Sequence, residues 1–420
     1  MMRTTLQFLL AMFLGISGFG QEKVVWILPA HGEMVEYNAA TFAEKLQMPI
    51  PAQVAQSPLR VSVNHLGQVL FVPPAALPLS DDDMKVEHKI WLWDGHTAKT
   101  LDLGVKRELA TAGSNLVVNE SAPWVALSED GTHLFWFANE ARRLSRETVD
   151  LSTTTTWQAW TTDLTGTGRE DLASVKLPEC NCSTGSCEET CPYGSLWTPQ
   201  EGVGQFFLMT LFVAGQTGPT YKATTRYHLE NGKWVTDLTS EPLQQVLDAS
   251  SDGRNVVEAI PDTACCGWAN QSDDQTLALI DGKKRTVFDE FSAYNNSDYD
   301  VSFSTSNARL SPDLSSVAMT IVSTAKANQP IQLAEEGQAN LEESKHIRAA
   351  LTELPAVEVK SLEETPKRIA FVPHASAVGW ISENELLIIE DHLLVIYNLK
   401  TGARRKSNIK VDDATRVFLR

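Results

Sequence analysis

"APWVALSEDGTHLFWFA" (residues 122–138) decides the fold. Apolar and polar residues alternate on both sides of Asp130-Gly131, and an Asp-Gly pair between two alternating runs signals a β-hairpin. The phrase recurs along the chain. "LRVSVNHLGQVLFVP" (59–73) turns at Leu66-Gly67, and "NARLSPDLSSVAMTIV" (307–322) keeps Ser311-Pro312-Asp313 but loses the glycine. "ASAVGWISENELLIIE" (375–390) turns at Glu383-Asn384.

A second phrase, another strand pair with its own glycine turn, follows several of these copies. It reads "IWLWDGHTAKTLDLG" (90–104), "WQAWTTDLTGTGREDLASV" (157–175), "TTRYHLENGKWVTDL" (224–238), "TLALIDGKKRTVFDE" (276–290) and "LLVIYNLKTGARRKSNI" (393–409). The turn glycines Gly95, Gly166, Gly232, Gly282 and Gly402 are separated by 71, 66, 50 and 120 residues. The last gap, about twice the others, implies a further unit whose turn has been replaced. Four-strand units repeated in this way predict an all-β fold, a β-propeller of six or seven blades forming a single domain over residues 21–420. One such sheet cannot bury its own faces. Stacking sheets around an axis buries them between neighbours, and closing the ring protects the edges. Closure is expected to pair "KVVWILP" (23–29) with the last blade, whose final strand is "TRVFLR" (415–420). The competing reading of the same pattern is an open β-sandwich or two smaller β domains.

"LSEDGTHLFWF" and "LSPDLSSVAMTIV", with outer strands ending "DLTGTGRE" and "YNLKTGARR", resemble the repeats of TolB-type and WD-repeat-like propellers. The likeness covers most of residues 55–412 and implies the fold. TolB proteins carry an α/β domain before the propeller, for which residues 21–58 are too few, so no partner or role is carried over.

The first twenty residues, MMRTTLQFLLAMFLGISGFG, combine Arg3, a short apolar core from Leu6 to Ile16, and small residues Gly18 and Gly20 before Gln21. This three-part pattern predicts a secretory signal peptide over residues 1–20 and a protein that is periplasmic or extracellular after cleavage. No later stretch reaches 18 uninterrupted apolar residues, so no transmembrane segment is expected. The chain carries a net charge of −18, a field that repels phosphate backbones and argues against nucleic acid as a partner.

All six cysteines fall in two places, Cys180, Cys182, Cys187 and Cys191 in "CNCSTGSCEETC" and the adjacent Cys265 and Cys266. Their spacing matches zinc ribbons poorly, and a redox C-x-x-C is absent. An even count in an exported chain reads first as disulfides, with a thiolate metal site or free redox thiols as the alternatives. Of the 15 pairings open to six cysteines, those joining Cys265 to Cys266 force a strained ring. In all the others both of these residues reach into the 180–191 cluster, which predicts two bridges between a Cys-rich loop (178–200) and the loop at 261–276. Tyr193, Trp197 and Trp268 flank the two cysteine loops and are candidates for a contact surface, or for packing around the bridges.

Residues 325–367 depart from the strand pattern. Asn340 and Glu343 form a capping-box arrangement, and Ile347, Ala350, Leu351 and Leu354 make one helical stripe ending at Pro355, so this insertion is expected to be partly helical. Three consecutive aspartates, 81–83, lack the spaced ligands of a calcium loop, and no metal or cofactor is expected. Neither a G-x-S-x-G elbow nor H-E-x-x-H occurs. His65 and His133, beside inner turns of different blades, are the histidines that could line a channel. The favoured reading is a monomeric, non-catalytic binding or scaffolding protein for a protein, small-molecule or glycan partner. The alternative is a propeller hydrolase or lyase whose site at the channel mouth draws single residues from separate blades.

Overall fold

The computed structural model describes residues 22–29, 32–50, 60–64, 66–72, 84–86, 89–102, 107–109, 124–128, 130–140, 156–176, 193–197, 205–214, 218–230, 233–237, 245–250, 253–261, 275–282, 284–291, 293–295, 300–325, 351–412 and 415–420. The described residues form seven antiparallel sheets of four or five strands and one two-stranded ribbon, Met84–Val86 with Arg107–Leu109. Sheet 1 contains Arg416–Leu419, Val24–Leu28, Glu33–Asn38 and Glu44–Pro49. Sheet 2 contains Arg60–Val63, Val69–Val72, Lys89–Trp93 and Ala98–Asp102. Sheet 3 follows with Trp124–Leu127, His133–Glu140, Thr156–Asp163 and Glu170–Lys176. Sheet 4 is Tyr193–Trp197, Gln205–Ala214, Gly218–Glu230 and Lys233–Asp237. Gln245–Ala249, Asn255–Pro261, Gln275–Asp281 and Lys284–Phe291 make sheet 5. Sheet 6 runs Asp300–Leu310, Ser316–Ala325, Ala356–Ser361 and Arg368–Pro373, with the short Ala293–Asn295 on its first strand. Sheet 7 is Ala375–Ser382, Glu385–Glu390, Leu393–Asn398 and Arg404–Lys410.

"VVWIL" (24–28) shows why the sheets stack. All five residues are buried, as expected of a strand covered on both faces. Alternation sends Val24, Trp26 and Leu28 into a cluster with Val63, Val69 and Phe71 of sheet 2. Val25 and Ile27 instead meet Leu387, Leu394 and Ile396 of sheet 7. The same sharing joins sheets 2 and 3 through Leu70, Leu92, Leu127 and Trp136. It joins sheets 5 and 6 through Val257, Leu277, Ala308 and Met319, and sheets 6 and 7 through Val357, Val372, Trp380 and Leu386. Trp124–Leu127 approaches Tyr193–Trp197, and Gly218–Glu230 approaches Gln245–Ala249, which brings sheet 4 between sheets 3 and 5. The sheets therefore follow one another in a closed ring, a β-propeller. Neighbouring sheets touch through their first strands, which marks those strands as the ones lining the axis.

Closure differs in one detail from the expected one. Val24–Leu28 does pair with Arg416–Leu419 (Val25 opposite Leu419, Ile27 opposite Val417). The C-terminal strand, however, is the inner strand of sheet 1 rather than the last strand of sheet 7, so one C-terminal and three N-terminal strands share a sheet. The 120-residue gap between glycine turns contains sheet 6. Its outer connection, Leu362 to Lys367, has no glycine and is held by Ser361 Oγ, which accepts the Lys367 N–H at 2.9 Å. Residues 356–361 within the expected insertion are a strand of that sheet. Its capping box lies outside the described residues, and described helix is confined to 351–353. Among the described residues, no helix is long and apolar enough to cross a membrane.

Candidate functional site

In sheets 3, 5 and 6 the first and second strands are joined by one recurring turn. In sheet 3, Ser128 N–H donates to the His133 carbonyl (3.0 Å), the His133 N–H donates to Ser128 Oγ (2.9 Å), and Gly131 N–H donates to the Ser128 carbonyl (3.0 Å). Ser128 Oγ in turn donates to Asp130 Oδ1 at 2.6 Å. Ser311, Asp313 and Ser316 repeat the arrangement in sheet 6, where Ser311 Oγ donates to Asp313 Oδ1 (2.6 Å) and accepts the Ser316 N–H (2.9 Å). Ser250 accepts the Asn255 N–H at 3.0 Å in sheet 5. Each turn needs one residue in the left-handed region. Gly131 and Gly253 supply it at φ +68° and +62°, and Leu314 takes it at +59° where the glycine is missing. Burial pushes the Asp130 carboxyl up, but the bonds from Ser128 and Thr132 outweigh this and hold it below its ordinary value. The Ser311 hydroxyl and Ser315 amide do the same for Asp313.

In sheets 2, 3 and 7 the third and fourth strands are joined at the same rim by turns capped with an Asp or Asn. Asp163 Oδ1 accepts the N–H groups of Thr165 (2.8 Å) and Thr167 (3.0 Å), Asp94 Oδ1 those of His96 and Thr97, and Asn398 Oδ1 those of Lys400 and Thr401. Hydroxyl bonds from Thr165 and Thr167 hold Asp163 far below the usual carboxylate range, and a bond from Lys99 with those amides does so for Asp94.

At the axis this rim opens into a cleft of about 220 Å³ among the inner-strand ends of sheets 5, 6, 7 and 1. Its polar side chains include Lys23, Asp248, Arg309, Trp380 and Arg420. They also tie the sheets together. Asp248 Oδ2 accepts the Leu310 N–H at 2.7 Å, from sheet 5 to sheet 6. Arg309 Nε donates to the Val378 carbonyl (3.3 Å) and Trp380 Nε1 to the Arg309 carbonyl (2.8 Å), from sheet 6 to sheet 7. Lys23 Nζ donates to the Trp380 carbonyl (3.0 Å), and Arg420 Nε to the Val63 carbonyl, carrying the belt to sheets 1 and 2. Ser62 Oγ then accepts the Leu127 N–H of sheet 3 (3.3 Å), the counterpart of the Asp248 contact.

Arg309 stands apart within this belt. Its guanidinium donates to two backbone carbonyls, those of Ala308 (2.7 Å) and Val378, and makes no ion pair with a described residue. Burial lowers its pKa, and the charge of Asp248 acts against that lowering. The cleft thus gathers three cations around one carboxylate in a chain of net charge −18. Among the described residues, no group of three His, Cys, Asp or Glu side chains is placed to hold a metal ion.

Of the residues singled out from sequence, those among the described residues do not line the cleft. His133 begins the second strand of sheet 3, half-buried, with Nδ1 2.6 Å from Thr132 Oγ1, and does not line the cleft. Tyr193 and Trp197 are placed by backbone register opposite Leu211 and Phe207 in sheet 4. His65, Trp268 and all six cysteines, Cys180, Cys182, Cys187, Cys191, Cys265 and Cys266, lie outside the described residues. The cleft residues were missed, although the repeat carried a signal. Aligned on the turn serine, the inner strands read "VALS" (125–128), "LDAS" (247–250) and "ARLS" (308–311). Two residues before the serine, an alanine becomes Asp248 and then Arg309. Opposite charges at one level of adjacent axial strands mark the cleft. The copy that supplies Asp248, "VLDASSDGRNVVEAI" (246–260), belongs to the same repeat but was not read as one.

No protein-family model matches the chain, and no curated protein matches it. Among solved structures, it is similar to a prolyl endopeptidase (11% identity, TM-score 0.46, 94% of this chain and 48% of that one). It is similar also to the Pyrococcus horikoshii acylaminoacyl peptidase (12%, TM-score 0.42, 93% and 51%). A third is the Pseudomonas aeruginosa periplasmic gluconolactonase (8%, TM-score 0.42, 94% and 99%). The chain spans about half the length of the two peptidases. At these identities and scores the likeness carries nothing about activity.

Proposed function

We propose that this is an exported seven-bladed propeller, related in its repeat to the TolB-type family, that binds a small anionic ligand in the axial cleft. Arg309 carries the reading. A half-buried guanidinium whose bonds to described residues all go to backbone carbonyls keeps donors for a ligand, a setting in which a carboxylate or phosphate is bound strongly. Lys23 and Arg420 add positive potential, and Asp248 orients the site without neutralising it. The cleft is smaller than the ~300–1,000 Å³ typical of sites for drug-sized ligands, which favours a sugar acid or similar small anion. Binding rather than turnover is favoured because the one carboxylate among the lining residues, Asp248, is occupied with the Leu310 amide.

Export rests on the three-part N-terminal pattern. The two disulfide bridges proposed between the cysteine loops are supported by how those loops are anchored. Lys176 and Tyr193 bound the first loop, and Pro261 and Gln275 bound the second. Strand alternation sets all four anchors on the rim opposite the cleft, around the neighbouring sheets 3, 4 and 5.

Calorimetric titration with phosphate, acetate and galacturonate, with glucose as a neutral control, tests the cleft. At least one anion should bind, and Arg309→Gln should weaken it by roughly tenfold, the loss typical of one buried charge-assisted contact. Binding of glucose alone, or anion binding unchanged by Arg309→Gln, would overturn the reading.

A further inference from the structure

The seven outermost strands differ sharply in charge. Four of them balance: Glu44 against Lys45, Lys99 against Asp102, Lys233 against Asp237, and Lys284 and Arg285 against Asp289 and Glu290. Glu170–Lys176 has one excess carboxylate, and Arg368–Pro373 has a single arginine. Arg404–Lys410, "RRKSNIK", carries Arg404, Arg405, Lys406 and Lys410 with no carboxylate. All four are exposed.

This strand ends the order of sheet 7, bonded on one side to Leu393–Asn398, and no described strand pairs with its other edge. Arg404 Nε meets Glu390 Oε1 at 2.9 Å, and Lys406 Nζ lies 3.5 Å from Asp391 and 3.7 Å from Glu390. Arg405 and Lys410, with Lys400 in the preceding turn, make no ion pair with a described residue. Arg405 lies opposite Ile396, and Arg404 and Lys406 opposite Tyr397 and Val395, so cations stand on both faces of one open edge.

We propose that this edge docks an extended acidic segment of a partner protein, which joins sheet 7 as an additional strand. An open edge supplies main-chain donors and acceptors for strand addition, and pockets or charges at alternate side chains supply the selectivity. Lysine on an edge strand also serves to discourage chance pairing. That purpose does not call for consecutive arginines, whose planar forks match carboxylates in pairs. Nor does it explain why the other outer strands keep their charges near balance. Charge complementarity therefore selects an acidic occupant, and the open backbone edge selects a peptide over other polyanions.

Fluorescence anisotropy with a labelled peptide of alternating glutamate and threonine or valine tests the proposal on the full mature chain. Binding should weaken at least tenfold between about 0.05 M and 0.5 M salt. A similar loss is expected for Arg405→Glu with Lys410→Glu, and a smaller one in the same direction for Arg405→Ala with Lys410→Ala. N-methylation of alternate peptide amides should abolish binding. Equal binding of the N-methylated peptide, or a heparin oligosaccharide bound as tightly as the peptide, would show that only charge is read and overturn strand addition. Wild-type affinity in the charge-reversed variant would remove the site altogether.

Discussion

The two rims of the ring are built on different terms. At the cleft rim, the connections between first and second strands and between third and fourth strands span two to seven residues. Where described, most of them close on a Ser, Asp or Asn side chain that accepts the turn amides. At the opposite rim the connections range from the single residue His374 and the pair Asp391-His392 to stretches such as 73–88, 103–123, 141–155, 177–192, 262–274 and 326–355. A turn that must satisfy its own backbone donors within five residues constrains both sequence and length. A longer connection costs only slowly increasing closure entropy, so it can diverge and acquire other tasks. One rim therefore holds the repeat in register, and the other is free to diverge.

The largest effect should come from breaking the proposed bridges on the insertion rim. Cross-linking loops roughly 80 residues apart contributes about 4 kcal/mol in the chain-entropy model. Reduction should therefore lower the denaturation midpoint substantially, and non-reducing peptide mapping should recover the 180–191 peptide joined to the 265–266 peptide. Six free thiols in the unreduced, denatured protein would refute it.

On the cleft rim, Asp248→Ala should cost about 3 kcal/mol in denaturant unfolding. Asp248 is 6% exposed, and its loss strands the Leu310 amide and leaves half-buried Arg309 without the charge that compensates it. Asp248→Asn keeps an acceptor for that amide and should recover part of the loss. If both variants were as stable as the wild type, the belt would not be what joins sheets 5 and 6.

Turn geometry sets the next step down. A Cβ at Gly131 would lie 2.5 Å from Gln68 Oε1 and 2.7 Å from Leu66 Cδ1, at a φ of +68°. Gly131→Val should therefore cost roughly 2 kcal/mol, the usual scale for a β-branched residue forced into the left-handed region. Replacing 326–350 on the other rim with a short Gly-Ser linker should cost under about 1 kcal/mol, because closure entropy changes slowly with length. Comparable losses at the two positions would erase the distinction between the rims.

That distinction also explains how far the sequence could be read. The hairpin rim was legible because Asp130-Gly131, Leu66-Gly67 and the outer glycines are fixed by local turn chemistry. Sheet 6 was legible in its inner hairpin, where Ser311-Pro312-Asp313 keeps the turn although Leu314 occupies the glycine position, but its outer pair was legible only as a gap, since Ser361 closes a turn of six residues without a glycine. The inner position of Arg416–Leu419 was not legible, because a strand's place in a ring depends on contacts between chain ends that no local pattern encodes. Asp248 and Arg309 were within reach, as charges replacing Ala126 in aligned inner strands. Lys23 and Arg420 were not, since they meet the cleft only through closure.

The smallest effect is a dependence on pH that arises in the turns of the cleft rim. Asp94, Asp130, Asp163 and Asp313 all have carboxyls held below their ordinary values by the amides and hydroxyls of their own turns. A carboxylate depressed in the folded state binds its proton more readily in the unfolded chain. Its contribution is therefore complete above the unfolded value, near pH 4, and is lost as pH falls toward the folded value. Stability followed by circular dichroism should be level from about pH 7 to 5 and decline below about pH 4. Asp130→Asn with Asp313→Asn should flatten that decline, because asparagine keeps the acceptor but has no proton to gain. A decline as steep in the turn variant as in the wild type would place the acid-sensitive groups outside the hairpin turns, and with them part of what holds the ring together.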